Sequence, residues 1–391
     1  YKLPYWFNWD KLAFSPKAGP NGSASRTALF DLISMPDILK NILLGTNIKA
    51  VIKEYGDLLS PSRVRFYHAV QQKWTEYQSM VSKIRSLNLK EKDVFKHKPI
   101  PTPSWFDQFR SKPIKGYIRK LSVVNDPEAK ARIIAIFDYW SQQYLRQIHE
   151  IHFDFLSRIS TDRTFTQDPV LPLPPEGHKY YSFDLTAATD RFPMELQERM
   201  IYHMFGEDIA VSWRMILTSF EFFVPWESTE AKETFVSYAA GQPMGAYSSW
   251  STFTITHHFL LYVIHKELKL NEMFYQILGD DIVIWHDEVA KRYLQMMSEL
   301  DVGISIPKSN ISFNMYEFAK RVFLNGREIT GIQLGGFVNV ASKYHLVYQS
   351  VFTLVYERNY IPCGFVSIPE LLDQLHLILG LKTKIRLNLL S

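Results

Sequence analysis

The sequence predicts an α+β fold in which antiparallel hairpins pack against amphipathic helices, and three observations point to it. Tyr275–Leu278 and Ile282–Trp285 are short apolar runs flanking Gly279-Asp280-Asp281, the pattern of a β-hairpin with a tight turn. Tyr117–Val124 and Arg132–Phe137 form a second strand-like pair around Asn125-Asp126-Pro127. Between the hairpins lie stretches such as Asp287–Leu300, amphipathic at helical spacing. With 46% hydrophobic and 15% aromatic residues among 391, the chain can bury a sizeable core, as one large domain or two to three subdomains.

In chain order, residues 27–44 read as helical, carrying Leu29, Leu32 and Ile33, then a break at Pro36, then Ile38, Leu39 and Ile42. A second helix, 61–87, opens at Ser60-Pro61-Ser62 and carries Val64, Tyr67, Val70, Trp74 and Tyr77 as a core stripe. Residues 95–116, rich in proline and basic side chains, read as an irregular connector. A helix is expected from Ser141 to Ile159. The aromatic strand Tyr180–Asp184 delivers Asp184 at its end, and Pro193 opens a helix over Met194–Phe205. Asp190 stands three residues before Pro193 and reads either as a helix cap or as a polar group of a site.

Helix 208–219 and a hairpin (Phe220–Pro225 with Thr234–Ala239) lead into G-Q-P-M-G-A-Y-S-S-W. There Gly241 and Gly245 form a loop at the mouth of a helix running to about Lys266. Such a loop suits close approach of a phosphate or sugar, or simply connects two elements. A strand at Gly303-Ile304, then Pro307-Lys308, follow the Asp287–Leu300 helix. Residues 317–332 read as a hairpin turning at Asn325-Gly326, and 340–391 as mainly helical.

Formal net charge is +4, but Val81–Lys120 holds eleven Lys and Arg against three Asp and Glu, a local excess of +8. That suggests a polyanion-binding face; a solvated surface is the plainer alternative. The single cysteine, Cys363, excludes an intramolecular disulfide. His257 and His258 diverge by about 100° on a helix and read as packing residues rather than a chelating pair. No apolar run reaches the roughly 18–20 residues of a membrane span. With Tyr1 first, no targeting signal can be judged.

The turn of the 275–285 hairpin holds Asp280 beside Asp281 between apolar arms. Gathering carboxylates there is costly unless a cation neutralises them. Lys130 and Arg132, two residues apart, share one face of a strand and can hold a phosphate, although edge strands also carry cations as surface decoration.

Taken together, these stretches resemble the RNA-dependent RNA polymerases of positive-strand RNA viruses, most closely those of the mitoviruses. The likeness runs from about Gly116 to Gly336. N-D-P-E-A-K-A-R-I-I-A-I-F-D-Y-W resembles the fingers motif, D-L-T-A-A-T-D-R-F-P the first palm motif, G-Q-P-M-G-A-Y-S-S-W the second and L-G-D-D the third. Lys308 occupies the place of the fourth, and E-F-A-K-R resembles the fifth. One departure concerns the second motif's helix, where many viral polymerases carry an asparagine that reads the ribose. Here Ser248-Ser249-Trp250-Ser251-Thr252-Phe253 stands in its place, so sugar recognition rests on other groups.

The resemblance implies a right-hand architecture: an N-terminal region and fingers over 1–175, a palm with inserted fingers elements over 176–340, and a short helical thumb in 341–391. It implies that Asp184, Asp280 and Asp281 hold two Mg²⁺ ions, with Mn²⁺ as an alternative, and that Lys308 protonates the leaving pyrophosphate. Lys130, Arg132, Asp190, Gly245 and Ser249 would bind the ribonucleoside triphosphate. Lys112, Lys115, Arg119, Lys120, Lys320 and Arg321 would contact the RNA template and product strand. It also implies mitochondrial replication of a viral RNA. A reverse transcriptase and an inactive RNA-binding remnant are the competing readings. Leu278-Gly279 ahead of the carboxylate pair argues against the first, and the survival of Asp184, Gly245, Asp280 and Asp281 against the second.

Overall fold

The computed structural model describes residues 12–44, 117–125, 131–166, 170–226 and 235–330, with isolated positions beyond. The expected helix 61–87, the connector 95–116, Lys112, Lys115, Lys130 and nearly all of 340–391 lie outside the described residues.

The N-terminal part opens with a ribbon of β1 (Ala18–Gly19) and β2 (Gly22–Ser23), followed by α1 (Ala24–Ser34) and α2 (Asp37–Leu44). Pro36 separates the two helices, as its missing N–H requires. Strands β3 (Arg119–Asn125) and β4 (Ala131–Phe137) form the expected antiparallel hairpin, with Val124 opposite Arg132 and Arg119 opposite Phe137. Helix α3 (Tyr139–Leu156) starts upstream of the expected Ser141 because Asp138 caps it, accepting a 2.8 Å hydrogen bond from the Ser141 N–H.

The central part runs β5 (Tyr180–Asp184), α4 (Ala188–Arg191), α5 (Met194–Phe205), α6 (Glu207–Thr218), β6 (Phe222–Phe223) and β7 (Phe235–Val236). Then come α7 (Ser249–Glu267), β8 (Tyr275–Leu278), β9 (Asp281–Ile284) and α8 (Asp287–Glu299). A short 3₁₀ turn, Ile306–Lys308, precedes β10 (Asn310–Ser312), β11 (Met315–Phe318), β12 (Arg321–Leu324) and β13 (Arg327–Glu328).

The hairpin expected over residues 317–332 differs from its sequence reading. The chain does turn at Asn325-Gly326, but it turns again at Ala319-Lys320, giving three strands in the order β11-β12-β13. Ala319 and Lys320 both sit at positive φ, 53° and 59°, a backbone state that neither residue type advertises.

Two sheets organise the rest. β4-β3-β6-β7 packs with α1, α2, α3 and α6 around Phe30, Leu43, Trp140, Tyr144 and Trp213. The wholly antiparallel sheet β10-β5-β9-β8 is a middle layer. On one side Phe183, Ile282 and Ile284 pack against Leu261 and Ile264 of α7 and Tyr293 and Met297 of α8. On the other, Tyr180, Val283 and Trp285 pack against Tyr316, Phe318 and Phe323 of the three-stranded sheet. Burial on both faces explains why β9 reads as an unbroken apolar run rather than an alternation.

Candidate active site

β5 ends at Asp184 and β9 begins at Asp281, and the antiparallel register places these two residues directly opposite each other. Cross-strand partners share a face of the sheet. Leu278 pairs with Asp281, which leaves Gly279 and Asp280 as a two-residue turn. Gly279 takes φ +65° and Asp280 does not have positive φ, the pattern of a type II′ hairpin turn. A Cβ on Gly279 would also lie 2.5 Å from the indole nitrogen of Trp250, so glycine is required twice over. Three carboxylates from two strands and one turn are thereby gathered at one end of the central sheet.

Their electrostatics follow from that crowding. Burial raises the Asp280 carboxyl above its ordinary range and the Asp184 charge adds to the shift, while the Arg132 and Lys308 charges oppose it. Burial pushes Asp281 up to about 7; the Ala319 N–H works against it, and the charges of Asp280, Glu317 and Asp184 reinforce it. The Ala319 N–H donates to Asp281 Oδ2 at 2.6 Å, and the Glu317 N–H donates to Ser182 Oγ at 3.0 Å. The three-stranded sheet therefore clasps the carboxylate end of the central one.

Two cations from distant parts of the chain answer this negative charge. Residues 303–305 run beside the end of β5: the Thr186 N–H donates to the Gly303 carbonyl and the Ser305 N–H to the Asp184 carbonyl, both at 2.8 Å. The 3₁₀ turn that follows brings Lys308 Nζ to 2.8 Å from Asp184 Oδ2. Arg132, on the exposed first residues of β4, is close enough for its charge to act on Asp280.

The glycine loop joins these parts. The Ala135 N–H of β4 donates to the Met244 carbonyl at 2.7 Å, and Gln142 brackets the loop by donating to the Gly245 carbonyl and accepting from the Tyr247 N–H. Gly245 sits at φ +111°, and a Cβ there would lie 2.6 Å from the Ala135 carbonyl oxygen. At its other end the Gln242 N–H donates to the Thr189 carbonyl, and a Cβ on Gly241 would fall 2.3–2.5 Å from the Thr189 and Asp190 backbone. The loop thus touches both the Arg132 strand and the Asp190 helix. Asp190 does not cap α5: Pro193 occupies that position, with no side-chain cap hydrogen bond.

One sequence-based expectation is corrected. Arg119 does not belong to an RNA-binding face. It is 1% exposed, ion-paired with buried Asp138, and hydrogen-bonded to Ser141 Oγ and the Ile216 carbonyl. Arg321 commits its guanidinium to Glu328 in a two-pronged pair on neighbouring strands. Ser249 is 3% exposed in the first turn of α7, and its buried hydroxyl makes no hydrogen bond among the described residues. Lys120 is half-buried on β3 and Lys320 is exposed at the β11–β12 turn.

Sequence reasoning missed the support beneath the turn. His257 Nδ1 lies 3.0 Å from the Gly279 carbonyl and its Nε2 lies 2.8 Å from the Tyr293 hydroxyl. His258 points elsewhere, to Asp162 and Tyr275, so the two histidines do diverge. The adjacent pair was itself the signal: two histidines side by side in the middle of a largely buried helix.

Asp184 and Asp280 supply hard oxygen donors of the kind Mg²⁺ prefers, an ion commonly held by one or two carboxylates together with substrate phosphates. Among the described residues no group of three or more His, Cys, Asp or Glu side chains is drawn close enough to hold an ion alone. The ammonium group on Asp184 is the structure's own sign that cationic charge is favoured there. Among the described residues no helix is long and apolar enough to cross a membrane.

The chain is 38% identical over 251 residues to the RNA-directed RNA polymerase of Cryphonectria parasitica mitovirus 1, covering 62% of this chain and 28% of that polymerase. It is 35% identical over 159 residues to an uncharacterized mitochondrial protein of Arabidopsis thaliana, covering 39% of this chain and 77% of that protein. Among solved structures, the RNA-dependent RNA polymerase of a human picobirnavirus aligns with a TM-score of 0.46 at 15% identity, over 70% of this chain and 58% of that one. The chain therefore spans well under half the length of the mitovirus polymerase it matches. Residues 6–389 match the Mitovirus RNA-dependent RNA polymerase family, and with nearly its whole length accounted for the chain belongs to that family.

Proposed function

We propose that the chain carries the catalytic core of an RNA-dependent RNA polymerase that extends a product strand on an RNA template by nucleotidyl transfer. The observation that carries this reading is the opposition of Asp184 and Asp281 across β5 and β9, with Asp280 at the turn and Arg132 and Lys308 bringing positive charge to the same place. Asp184 and Asp280 would hold a pair of Mg²⁺ ions, which when bound favour ionisation of the primer 3′-hydroxyl and neutralise the departing pyrophosphate. Asp281, turned toward the Ala319 N–H, supports them electrostatically.

The remaining groups position and charge-balance the substrate, which is most of what phosphoryl transfer asks of a protein. Arg132 clamps the incoming triphosphate. Lys308 delivers the proton that the pyrophosphate oxygen takes up as its bond to the α-phosphorus breaks. Asp190, held by the glycine loop, accepts a hydrogen bond from the ribose 2′-hydroxyl. Lys130 supports Arg132 on the triphosphate, and Lys120 and Lys320 contribute to the RNA path together with Lys112 and Lys115. Residues 1–175 serve as N-terminal region and fingers, 176–340 as palm, and 341–391 as thumb. Positive-strand viral RNA replicated in mitochondria is the template class the family membership favours.

The test is primer extension on an RNA template with four ribonucleotides and Mg²⁺. Template-dependent product that disappears in Asp280→Asn supports the proposal; nucleotide incorporation indifferent to that substitution would overturn it.

A further inference from the structure

The two-residue turn that carries Asp280 leaves the Gly279 carbonyl outside the β8–β9 ladder, and this oxygen is met from below by one side chain. His257 is 0% exposed in the middle of α7, its Nδ1 3.0 Å from that carbonyl and its Nε2 2.8 Å from Tyr293 Oη on α8. Burial lowers the pKa of His257 to about 3, so the ring is neutral and carries a single proton. A carbonyl oxygen only accepts, which places that proton on Nδ1. Nε2 must then accept, which makes Tyr293 the donor. Burial raises the Tyr293 pKa, and the Asp280 charge adds to it, so the phenol keeps its proton. Every hydrogen in the relay Tyr293–His257–Gly279 is thereby determined.

The ring is also fixed sideways. It lies 5.7 Å from the Tyr293 ring in a stacked arrangement, 5.5 Å from Phe253 and 6.3 Å from Phe192, the residue that follows α4. Trp250, two helical turns before His257, lies under the Gly279 Cα. The helix that begins at the glycine loop therefore grips the carboxylate turn at two points, by shape through Trp250 and by direction through His257.

We propose that His257 is the positioning residue of the catalytic turn: its Nδ1–H orients the Gly279 peptide, and through it the carboxylate of Asp280, with Tyr293 locking the tautomer. This rests on the reading of Asp280 as a metal-holding carboxylate. It goes beyond that reading by assigning a function to a histidine that touches neither substrate nor ion.

The experiment compares wild type, His257→Leu, His257→Asn and Tyr293→Phe. Its readouts are single-turnover nucleotide addition, Mn²⁺ binding followed by electron paramagnetic resonance, and thermal unfolding. His257→Leu should slow addition by about 10- to 100-fold, the scale of a small misplacement of reacting groups, and weaken Mn²⁺ binding, while the nucleotide KM stays within about twofold. His257→Asn, whose amide N–H can reach the same carbonyl, should recover most of the rate. Tyr293→Phe should fall between them. In ¹⁵N spectra of the wild-type protein, His257 should be protonated at Nδ1.

His257→Leu with wild-type rate and Mn²⁺ affinity would overturn the proposal. So would an Asn variant as slow as Leu with equal unfolding temperatures, or a ring protonated at Nε2. A wild-type protein that neither extends primers nor binds Mn²⁺ would instead overturn the polymerase reading, and the tautomer would then decide the hydrogen-bond assignment alone.

Discussion

Lys308 donates a 2.8 Å hydrogen bond to Asp184, so a residue assigned to the departing pyrophosphate rests on a carboxylate assigned to a metal ion. The pair is open to solvent, with 60% of the Lys308 side chain exposed, so the contact can exchange for substrate at little cost. Lys308→Leu should lower the nucleotide-addition rate constant by about 10²–10⁴-fold, the usual contribution of general acid catalysis, with little change in nucleotide affinity. Lys308→His should recover part of the rate with an altered pH profile. Single-turnover kinetics on the three proteins checks this; a leucine variant within about threefold of wild type, well under that range, removes the catalytic role.

Asp280→Asn should abolish synthesis while leaving the fold and RNA binding intact, because the turn geometry depends on Gly279 and His257 rather than on the Asp280 charge. Asp281→Asn should retain measurable activity, since an asparagine oxygen can still accept from the Ala319 N–H. Equal residual activity in the two variants, measured by primer extension, would contradict the division of roles.

Asp281 also predicts a pH dependence of stability. Its carboxyl is raised to about 7 by burial from an ordinary 3.8. A raised carboxyl holds its proton more tightly folded than unfolded, so its contribution to stability is full below the unfolded value. That contribution is lost as pH rises through the folded one. The unfolding temperature of Asp281→Asn should therefore exceed wild type by a margin that grows between about pH 4 and pH 7 and then levels off. Differential scanning without divalent ions reads this directly; a margin that shrinks with rising pH would contradict it.

Arg132→Ala should raise the nucleotide KM more than it weakens template binding, because its charge acts at the carboxylates. Lys120→Ala should instead weaken RNA binding with reduced salt dependence. Arg119→Met should do neither. Removing one partner of a buried ion pair typically costs about 3–5 kcal/mol, so chemical denaturation should detect the change while the salt dependence of RNA affinity stays put.

Asp190→Ala should narrow the preference for ribonucleotides over deoxyribonucleotides, since a site built around a hydroxyl penalises its absence. Gly241→Ala should have the same effect indirectly, because its Cβ would meet unyielding Asp190 backbone at 2.4–2.5 Å. Discrimination ratios for matched nucleotide pairs provide the check, and an unchanged ratio in both variants would contradict the assignment.

What was legible in the sequence was whatever local chemistry announces. Gly-Asp-Asp between β-branched runs gave the carboxylate hairpin, Pro36 the break between α1 and α2, and Pro193 the start of α5. What escaped depended on partners far along the chain. Arg119 counted as surface charge because nothing local reveals that the capping residue Asp138 would face it across the β3–β4 hairpin. The Ala319-Lys320 turn carries no turn-forming residue, and its left-handed backbone is offset by the tertiary bond to Asp281. His257 looked like packing because the oxygen it meets belongs to a strand turn 22 residues on.

The opposition of Asp184 and Asp281 has a consequence for how such a chain tolerates change over generations. Side chains on a strand alternate faces with a period of two, so one residue gained or lost between Tyr181 and Asp184, or between Asp281 and Ile284, would turn a carboxylate to the helical side of the sheet. Length variation must then collect in the connections outside these two tetrapeptides. A family with this arrangement should drift freely in the spacing of its motifs while counting, within each strand, to the residue.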